Sequence, residues 1–134
     1  PEWSNRGAIR NKIFPKIENQ FGKRYEDGFI KMAKKSDELG NMVNDCLIIP
    51  YIEEIIKISD NEYKLPFEKK YPLLFYELMF EKFMYSFNKP RIKNKALTGW
   101  FINSRKDNWK PYTFSKNCIL KQKNNNYMII YFNS

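Results

Sequence analysis

The spacing of apolar residues predicts helices along most of this chain. Apolar side chains three or four positions apart lie on one face of a helix, and six segments show this pattern. The predicted helices span Trp3–Phe21, Phe29–Leu39, Asn41–Ile49, Tyr51–Ile58, Tyr71–Phe87 and Asn94–Ser104. Polar residues dominate Ser59–Lys70, which is therefore expected to be a loop.

Prolines and glycines predict where these helices end. Proline lacks the amide hydrogen that a helix interior needs, so Pro15 is expected to end or kink the first helix near Ile13. Ser4 is a suitable N-cap for the same helix. Gly40 follows the second helix and is expected to terminate it.

The segment Tyr71–Phe87 gives the strongest helical pattern, because apolar residues cover most of its circumference. Its polar residues form a narrow stripe that consists of Glu77, Glu81, Lys82 and Ser86. A helix with so little polar surface is expected to lie at the centre of the core. Truncation of Phe80 to alanine should then cost about 3–5 kcal/mol.

The C-terminus changes from helical to strand-like spacing. Cys118–Gln122 and Tyr127–Phe132 are rich in β-branched and aromatic residues, and Lys123–Asn126 between them contains asparagines that suit a turn. The aromatic, proline-containing segment Arg105–Asn117 is expected to be a loop. The predicted fold is thus a mostly helical α+β domain, with a helical core and a C-terminal β-hairpin.

The net charge of +9 falls in one part of the chain. Residues 1–88 carry equal numbers of basic and acidic side chains, whereas Lys89–Lys123 contains ten basic residues and a single acid, Asp107. Such segregation of charge favours a polyanionic partner. The chain is therefore divided into a charge-balanced helical core, residues 1–88, and a basic aromatic segment, residues 89–134.

Aromatic residues are interleaved with these cations. Trp100 and Phe101 are expected to pack against the core, whereas Trp109 and Tyr112 lie in a polar loop where they could either pack against the core or stack on bases. Lysine and arginine would neutralise the phosphates. The predicted nucleic-acid-binding residues are Lys89, Arg91, Lys93, Lys95, Arg105, Lys106, Trp109, Lys110, Tyr112, Lys116, Lys121 and Lys123.

The hypothesis that follows is a DNA- or RNA-binding module of a replication, transcription or RNA-processing protein, without chemistry of its own. A winged-helix arrangement is one form that it could take. Asn94–Ser104 would then read the major groove of a duplex, and Lys121, Lys123 and Asn124–Asn126 would form the wing.

Other functional classes are open to this sequence. Histidine is absent, which excludes Ser-His-Asp catalysis and histidine-ligated metals within the chain, and the glycines form no nucleotide-binding motif. No cofactor or metal is expected. A small nuclease or toxin-like enzyme, with or without a metal ion, could still use Glu77, Glu81, Asp107 and the surrounding lysines. In the metal-dependent form, Glu77 and Glu81 would hold a magnesium ion. The remaining alternatives are binding of an acidic protein and attachment to anionic membrane, which is not expected because no strongly basic amphipathic helix is found.

Composition indicates the source and the compartment. The abundance of Lys, Asn, Ile, Tyr and Phe suggests an AT-rich genome, such as that of a large DNA virus, a phage, a protist or a low-GC bacterium. Cys46 and Cys118 are expected to be buried free thiols in a reducing, intracellular compartment, which could be nucleus, cytoplasm or viral factory. Because the first residue is Pro1, we expect a processed product or a piece of a longer chain, folded as a single domain.

Overall fold

A computed structural model describes residues 4–133 of the protein. Within them lie four continuous helical segments, residues 5–21, 25–53, 73–86 and 94–104, and a five-stranded antiparallel sheet, and about 55% of the structure is helical. The predicted α+β class with a mostly helical composition is confirmed. Trp3, with which the first predicted helix begins, lies outside the described residues.

The chain divides into two units, with the boundary between Met42 and Val43. The described residues of the first unit, 4–42, form helices and no strand. Its elements are α1 (Asn5–Ala8), a π-helical turn (Ile9–Ile13), α2 (Phe14–Phe21) and α3 (Tyr25–Val43), whose last residue belongs to the second unit. The side-chain oxygen of Ser4 caps α1 by accepting a hydrogen bond of 3.0 Å from the amide of Gly7, as expected of an N-cap.

Two predicted helix ends in this part of the chain are wrong or displaced. Pro15 does not end the helix, because the preceding turn widens to a π-helix and the proline takes a place in the first turn of α2. The helix ends instead before Gly22, whose φ of 83° and ψ of 175° form a backbone conformation that essentially only glycine adopts. Helical structure also continues through Gly40 as far as Val43, so the predicted stop at Gly40 is wrong.

The second unit contains the sheet. Its elements are a π-helical turn (Asn44–Ile48), α4 (Ile49–Glu53), β1 (Ile56–Ser59), β2 (Glu62–Pro66), α5 (Leu73–Ser86), α6 (Asn94–Ser104), β3 (Tyr112–Ser115), β4 (Cys118–Gln122) and β5 (Tyr127–Phe132). The strand order is β1-β2-β5-β4-β3, and each neighbouring pair is antiparallel. The last strand of the chain is therefore the central strand of the sheet.

The predicted C-terminal hairpin of β4 and β5 is confirmed, but the strands are not confined to the C-terminus. The helix predicted for Tyr51–Ile58 ends at Glu53, and β1 and β2 occupy its remainder and much of the predicted loop Ser59–Lys70. Pairing with β5 explains the difference, since β2 gains a complete ladder from Glu62 to Pro66. The strand β3 likewise lies in the segment predicted to be a loop, Arg105–Asn117.

The winged-helix arrangement is not confirmed. A wing is a hairpin that projects from its domain, whereas β5 is hydrogen-bonded on both sides, to β2 and to β4. Ile130, for example, stands opposite Tyr63 on one side and Leu120 on the other. The hairpin is thus an interior part of the sheet.

The core lies between α5 and one face of the sheet. Six residues of α5 are buried, among them Tyr76, Phe80 and Phe83, which confirms the central position predicted for this helix. Trp100 from α6 fits between Tyr76 and Phe80, with ring centroids 4.9 and 5.7 Å apart. Phe83 in turn contacts Tyr63 of β2 at 5.4 Å. These edge-to-face ring contacts connect both helices to the sheet.

The two cysteines differ in their surroundings. Cys118 is buried, as predicted, and burial raises the pKa of its thiol to about 12. Cys46 is exposed, so the expectation that both thiols are buried is wrong. The residue lies in the π-helical turn Asn44–Ile48, where only Ile48 faces the core.

Candidate nucleic-acid interface

No aspartate or glutamate within residues 4–133 neutralises the ten cations of Lys89–Lys123. Among residues 4–133, none of the ten forms an ion pair with an aspartate or glutamate. Asp107, the only acid of the segment, instead binds Lys69 from outside it, at 2.7 Å between Nζ and Oδ1. The positive charge that the sequence concentrates in this segment is therefore available to a partner.

Two of the predicted stacking residues are held by the fold. Trp109 is only 5% exposed and contacts Phe67 and Trp100, with centroids 5.8 and 6.0 Å apart. Tyr112 is half-buried, rests on Phe114 and places its hydroxyl against Gly99. The Trp109 ring is thus a core side chain and offers no exposed face for a base.

The adjacent residues Trp100 and Phe101 pack against the core, as the sequence predicts. Trp100 is fully buried, and Phe101 is partly buried and packs against the core. The Phe101 ring also carries the guanidinium of Arg105 at 4.0 Å from its centroid. Arg105 donates to the backbone carbonyls of Lys69 and Tyr71, so this cation joins the end of α6 to the loop before α5.

The structure brings three of the predicted cations together in one cleft. Lys89, Arg91 and Lys93 follow α5 and line a cavity of about 580 Å³. The cleft lies at the end of the sheet where β3 turns into β4 and where β5 ends. Lys95 lies on the exposed part of α6, and Lys116 lies on the turn between β3 and β4. Lys106 and Lys110 are exposed near the beginning of β3.

A second group lies on the sheet face opposite α5. Tyr127, Ile129 and Tyr131 of β5 are partly exposed, and they alternate with three buried residues of the same strand. The Nζ atoms of Lys121 and Lys123 lie 5.0 and 5.8 Å from the ring centroid of Tyr131. We call this surface the tyrosine face; it comprises Lys64, Lys121, Lys123, Tyr127, Ile129 and Tyr131, and the half-buried Glu62 stands opposite Tyr131 on the same face.

Lys64 completes the tyrosine face from the neighbouring strand. Its Nζ lies 4.1 Å from the centroid of the Tyr127 ring, and its backbone stands opposite Ile129. Lys64, Tyr127 and Tyr131 are not among the residues predicted from the sequence, because they lie outside the basic segment Lys89–Lys123. The signal was present in the alternation of Tyr127–Phe132, since residues two apart on a strand point to the same face.

Polar residues of the predicted groove-reading helix and of the predicted wing form hydrogen bonds within their own elements. Thr98 of α6 donates its hydroxyl to the carbonyl of Asn94 at 2.9 Å. In the β4–β5 turn, Oδ1 of Asn124 accepts hydrogen bonds from the amides of Asn126 and Tyr127, at 2.7 and 3.1 Å. Such a side-chain turn fixes the conformation of the hairpin.

The residues considered for catalysis do not form a metal centre in the described part of the chain. Glu77 and Glu81 line a small cavity of about 110 Å³ together with Arg91. No group of three His, Cys, Asp or Glu side chains among residues 4–133 could hold a metal ion. Asp107 is exposed, and its hydrogen bond to Lys69 and the charge of that lysine lower its pKa.

No helix within residues 4–133 has the length and apolar character needed to span a membrane. Comparison with models of protein families, with curated proteins and with solved structures found no match. The function is therefore argued from the geometry of the site.

Proposed function

We propose that this protein binds single-stranded DNA or RNA through the tyrosine face and the cations around it. The observation that carries the proposal is the arrangement of Tyr127 and Tyr131 on the sheet surface, each with a lysine ammonium within 6 Å of its ring. Aromatic rings on an open sheet can stack on unpaired bases, and lysines next to them can contact the phosphates.

The unpaired cations support the same proposal. Each phosphate that a lysine or arginine neutralises releases condensed counterions, which favours binding most strongly at low salt. Lys121 and Lys123 are held near Tyr131 by cation–π contacts and have no carboxylate partner among the described residues. They can therefore move from the ring to a phosphate without breaking an ion pair.

A single strand suits this surface better than a duplex does. Bases in a duplex are stacked on one another and reach a protein only through their edges in the grooves. The tyrosine face presents rings that lie on an extended sheet, and no helix of the second unit covers it, since α5 and α6 pack on the opposite face. Binding of an acidic protein is the alternative that the same lysines would allow.

The test is a salt series of binding to fluorescently labelled single-stranded RNA, single-stranded DNA and duplex DNA. We expect log affinity for the single strands to fall linearly with log salt between about 50 and 200 mM. Replacement of Tyr131 by alanine should weaken single-strand binding about 5- to 150-fold, which corresponds to about 1–3 kcal/mol for one stacked base. Tyr131→Phe retains the ring and should retain most of the affinity.

A matched pair of charge reversals separates the tyrosine face from overall charge. Lys121→Glu with Lys123→Glu should weaken binding and reduce the salt dependence. Lys31→Glu with Lys34→Glu makes the same change in net charge on exposed positions of α3 and should have a smaller effect. Equal losses in the two double variants would show that the tyrosine face is not the binding site.

Two further experiments test the alternatives, which are binding of an acidic protein and nuclease activity. Polyglutamate is an acidic polymer without bases, and it should compete poorly with RNA if base stacking contributes. Incubation of the labelled strands with Mg²⁺ should leave their length unchanged; shortened products would support the nuclease hypothesis instead. Absence of binding to both single strands at low salt would refute the proposed function.

A further inference from the structure

The cleft at the end of the sheet combines three kinds of surface. Its cations are Lys89, Arg91 and Lys93, and four asparagine side chains, Asn61, Asn88, Asn117 and Asn133, add hydrogen-bonding groups. Its apolar lining is provided by Pro90, Ile92, Phe114, Cys118 and Phe132. A volume of about 580 Å³ lies within the range of about 300–1,000 Å³ that is typical of small-molecule sites.

The electrostatic character of the cleft is one-sided. Among the described residues 4–133, no Asp or Glu lines the cleft. Asp60, next to the lining residue Asn61, is paired with Lys57 at 2.8 Å, and this hydrogen bond lowers the pKa of Asp60. Lys89 donates a hydrogen bond to the backbone carbonyl of Asp60 at 3.0 Å, and its charge also lowers the pKa of the Asp60 carboxyl. The positive side chains of the cleft therefore face no lining carboxylate.

The apolar side of the cleft includes two aromatic rings, Phe114 and Phe132. Phe132 is 7% exposed and packs against Tyr63 and Phe83 of the core, with centroids 5.9 and 6.3 Å apart. Lys89 holds its Nζ 4.8 Å from the centroid of the Phe132 ring. Cys118 remains a neutral thiol near pH 7, because burial raises its pKa to about 12. The lining thus places apolar side chains next to positive charge.

We infer that this cleft binds a nucleoside phosphate, with the phosphate against Arg91, Lys93 and Lys89 and the base against the apolar lining. Guanidinium and ammonium groups are the usual partners of phosphate, and arginine can bind it with two parallel hydrogen bonds. Asparagine amides both donate and accept, which matches the mixed edge of a base. An inorganic anion would leave the apolar surface unused.

Two sources share this chemistry, a free nucleotide and the phosphorylated terminal nucleotide of a strand. The strand-end form rests on the proposed function, whereas the free nucleotide does not. The cleft and the tyrosine face contain no residue in common, so their contributions can be removed separately.

The experiment titrates adenosine monophosphate, uridine monophosphate, adenosine and inorganic phosphate into the ¹⁵N-labelled protein. The side-chain amide signals of the four asparagines are the local readout in the NMR spectrum. We expect both monophosphates to shift these signals, adenosine to bind much more weakly, and inorganic phosphate to bind more weakly than either monophosphate. A second arm compares one oligonucleotide with and without phosphate at its 5′ or 3′ end.

Charge-neutralising variants provide the control. Arg91→Gln with Lys93→Gln should weaken monophosphate binding about tenfold or more, the effect of losing at least one charge-assisted hydrogen bond. Lys31→Gln with Lys34→Gln removes the same charge from exposed positions of α3, outside the cleft and the tyrosine face, and should leave monophosphate binding unchanged. All four side chains are at least partly exposed, and thermal unfolding monitored by circular dichroism verifies that the variants fold.

The outcomes distinguish this inference from the proposed function. Monophosphate binding without strand binding would refute the proposed function and support the cleft as a site for a free nucleotide. Strand binding that ignores the terminal phosphate, together with no binding of monophosphates, would overturn the cleft inference and leave the proposed function intact. Equal affinity for inorganic phosphate and monophosphates would show that the base makes no contact and would also overturn it.

Discussion

Replacement of Gly99 by alanine tests the packing of α6 against β3, because the sequence and the structure predict opposite results. In a helix interior, alanine is more favourable than glycine by about 0.8–1.0 kcal/mol. Gly99 lies within α6, so helix propensity alone predicts that Gly99→Ala stabilises the protein. The structure instead places the side chain of Tyr112 directly over the glycine.

The expected magnitude follows from the atoms that the new methyl group would meet. An ideal Cβ at position 99 would lie well inside van der Waals contact with Oη of Tyr112 and 3.1 Å from its Cζ. The ring is restrained by Phe114, at 5.6 Å between centroids, so it cannot withdraw freely. Overpacking of this kind costs about 1–3 kcal/mol, which outweighs the gain in propensity. We expect Gly99→Ala to destabilise the protein by up to about 2 kcal/mol.

A double-mutant cycle identifies the cause. Tyr112→Phe removes the hydroxyl that makes the closest approach, so Gly99→Ala should be neutral or stabilising by up to about 1 kcal/mol in that background. The four proteins are compared by equilibrium unfolding in urea. If Gly99→Ala is equally stabilising with tyrosine and with phenylalanine at position 112, the hydroxyl does not lie against Gly99 and the reasoning is wrong.

Two further predictions concern the core. The buried Cys118 thiol has a pKa raised from 9.0 to about 12, so the folded state holds a proton that the unfolded state releases between these values, and stability should fall as pH rises through this window. The loss is about 1.4 kcal/mol per pH unit for one group, and the difference in unfolding free energy between the wild type and Cys118→Ala, measured from pH 8 upwards, should change with that slope; a constant difference would contradict it. Phe80→Ala should cost about 3–5 kcal/mol because Phe80 is 1% exposed, whereas Tyr85→Ala on the same helix, at 84% exposure, should change stability by less than about 0.5 kcal/mol in urea unfolding.

The parts of the fold that were predictable have strong local patterns. The limits of Asn94–Ser104 and of the C-terminal hairpin agree with those predicted, and α5 lies within the segment Tyr71–Phe87. In each case, local periodicity and the pattern of buried residues favour the same structure. The pairing of β2 with β5 was not predictable in this way, because the stabilising hydrogen bonds come from residues more than 60 positions away.

The positive charge of the candidate site could be predicted from the sequence, but its aromatic residues could not. The segregated lysines and arginines are visible in the sequence, and the structure leaves all ten without a carboxylate partner within residues 4–133. The sequence places Trp109 among the predicted nucleic-acid-binding residues, because its neighbours are polar and include a proline. Polar neighbours in the sequence do not show whether a ring is buried in the fold. Phe67, which is far away in the chain, packs against the Trp109 ring.

The alternation of β5 connects the stability of the sheet to its proposed binding surface. Met128, Ile130 and Phe132 point into the core, and this fixes Tyr127 and Tyr131 on the other face, because successive side chains of a strand point in opposite directions. A register shift of one residue would exchange the two sets, burying tyrosine hydroxyls and exposing the core residues. Pairing of β5 on both sides opposes such a shift. The position of the tyrosines is therefore maintained by the same contacts that stabilise the fold.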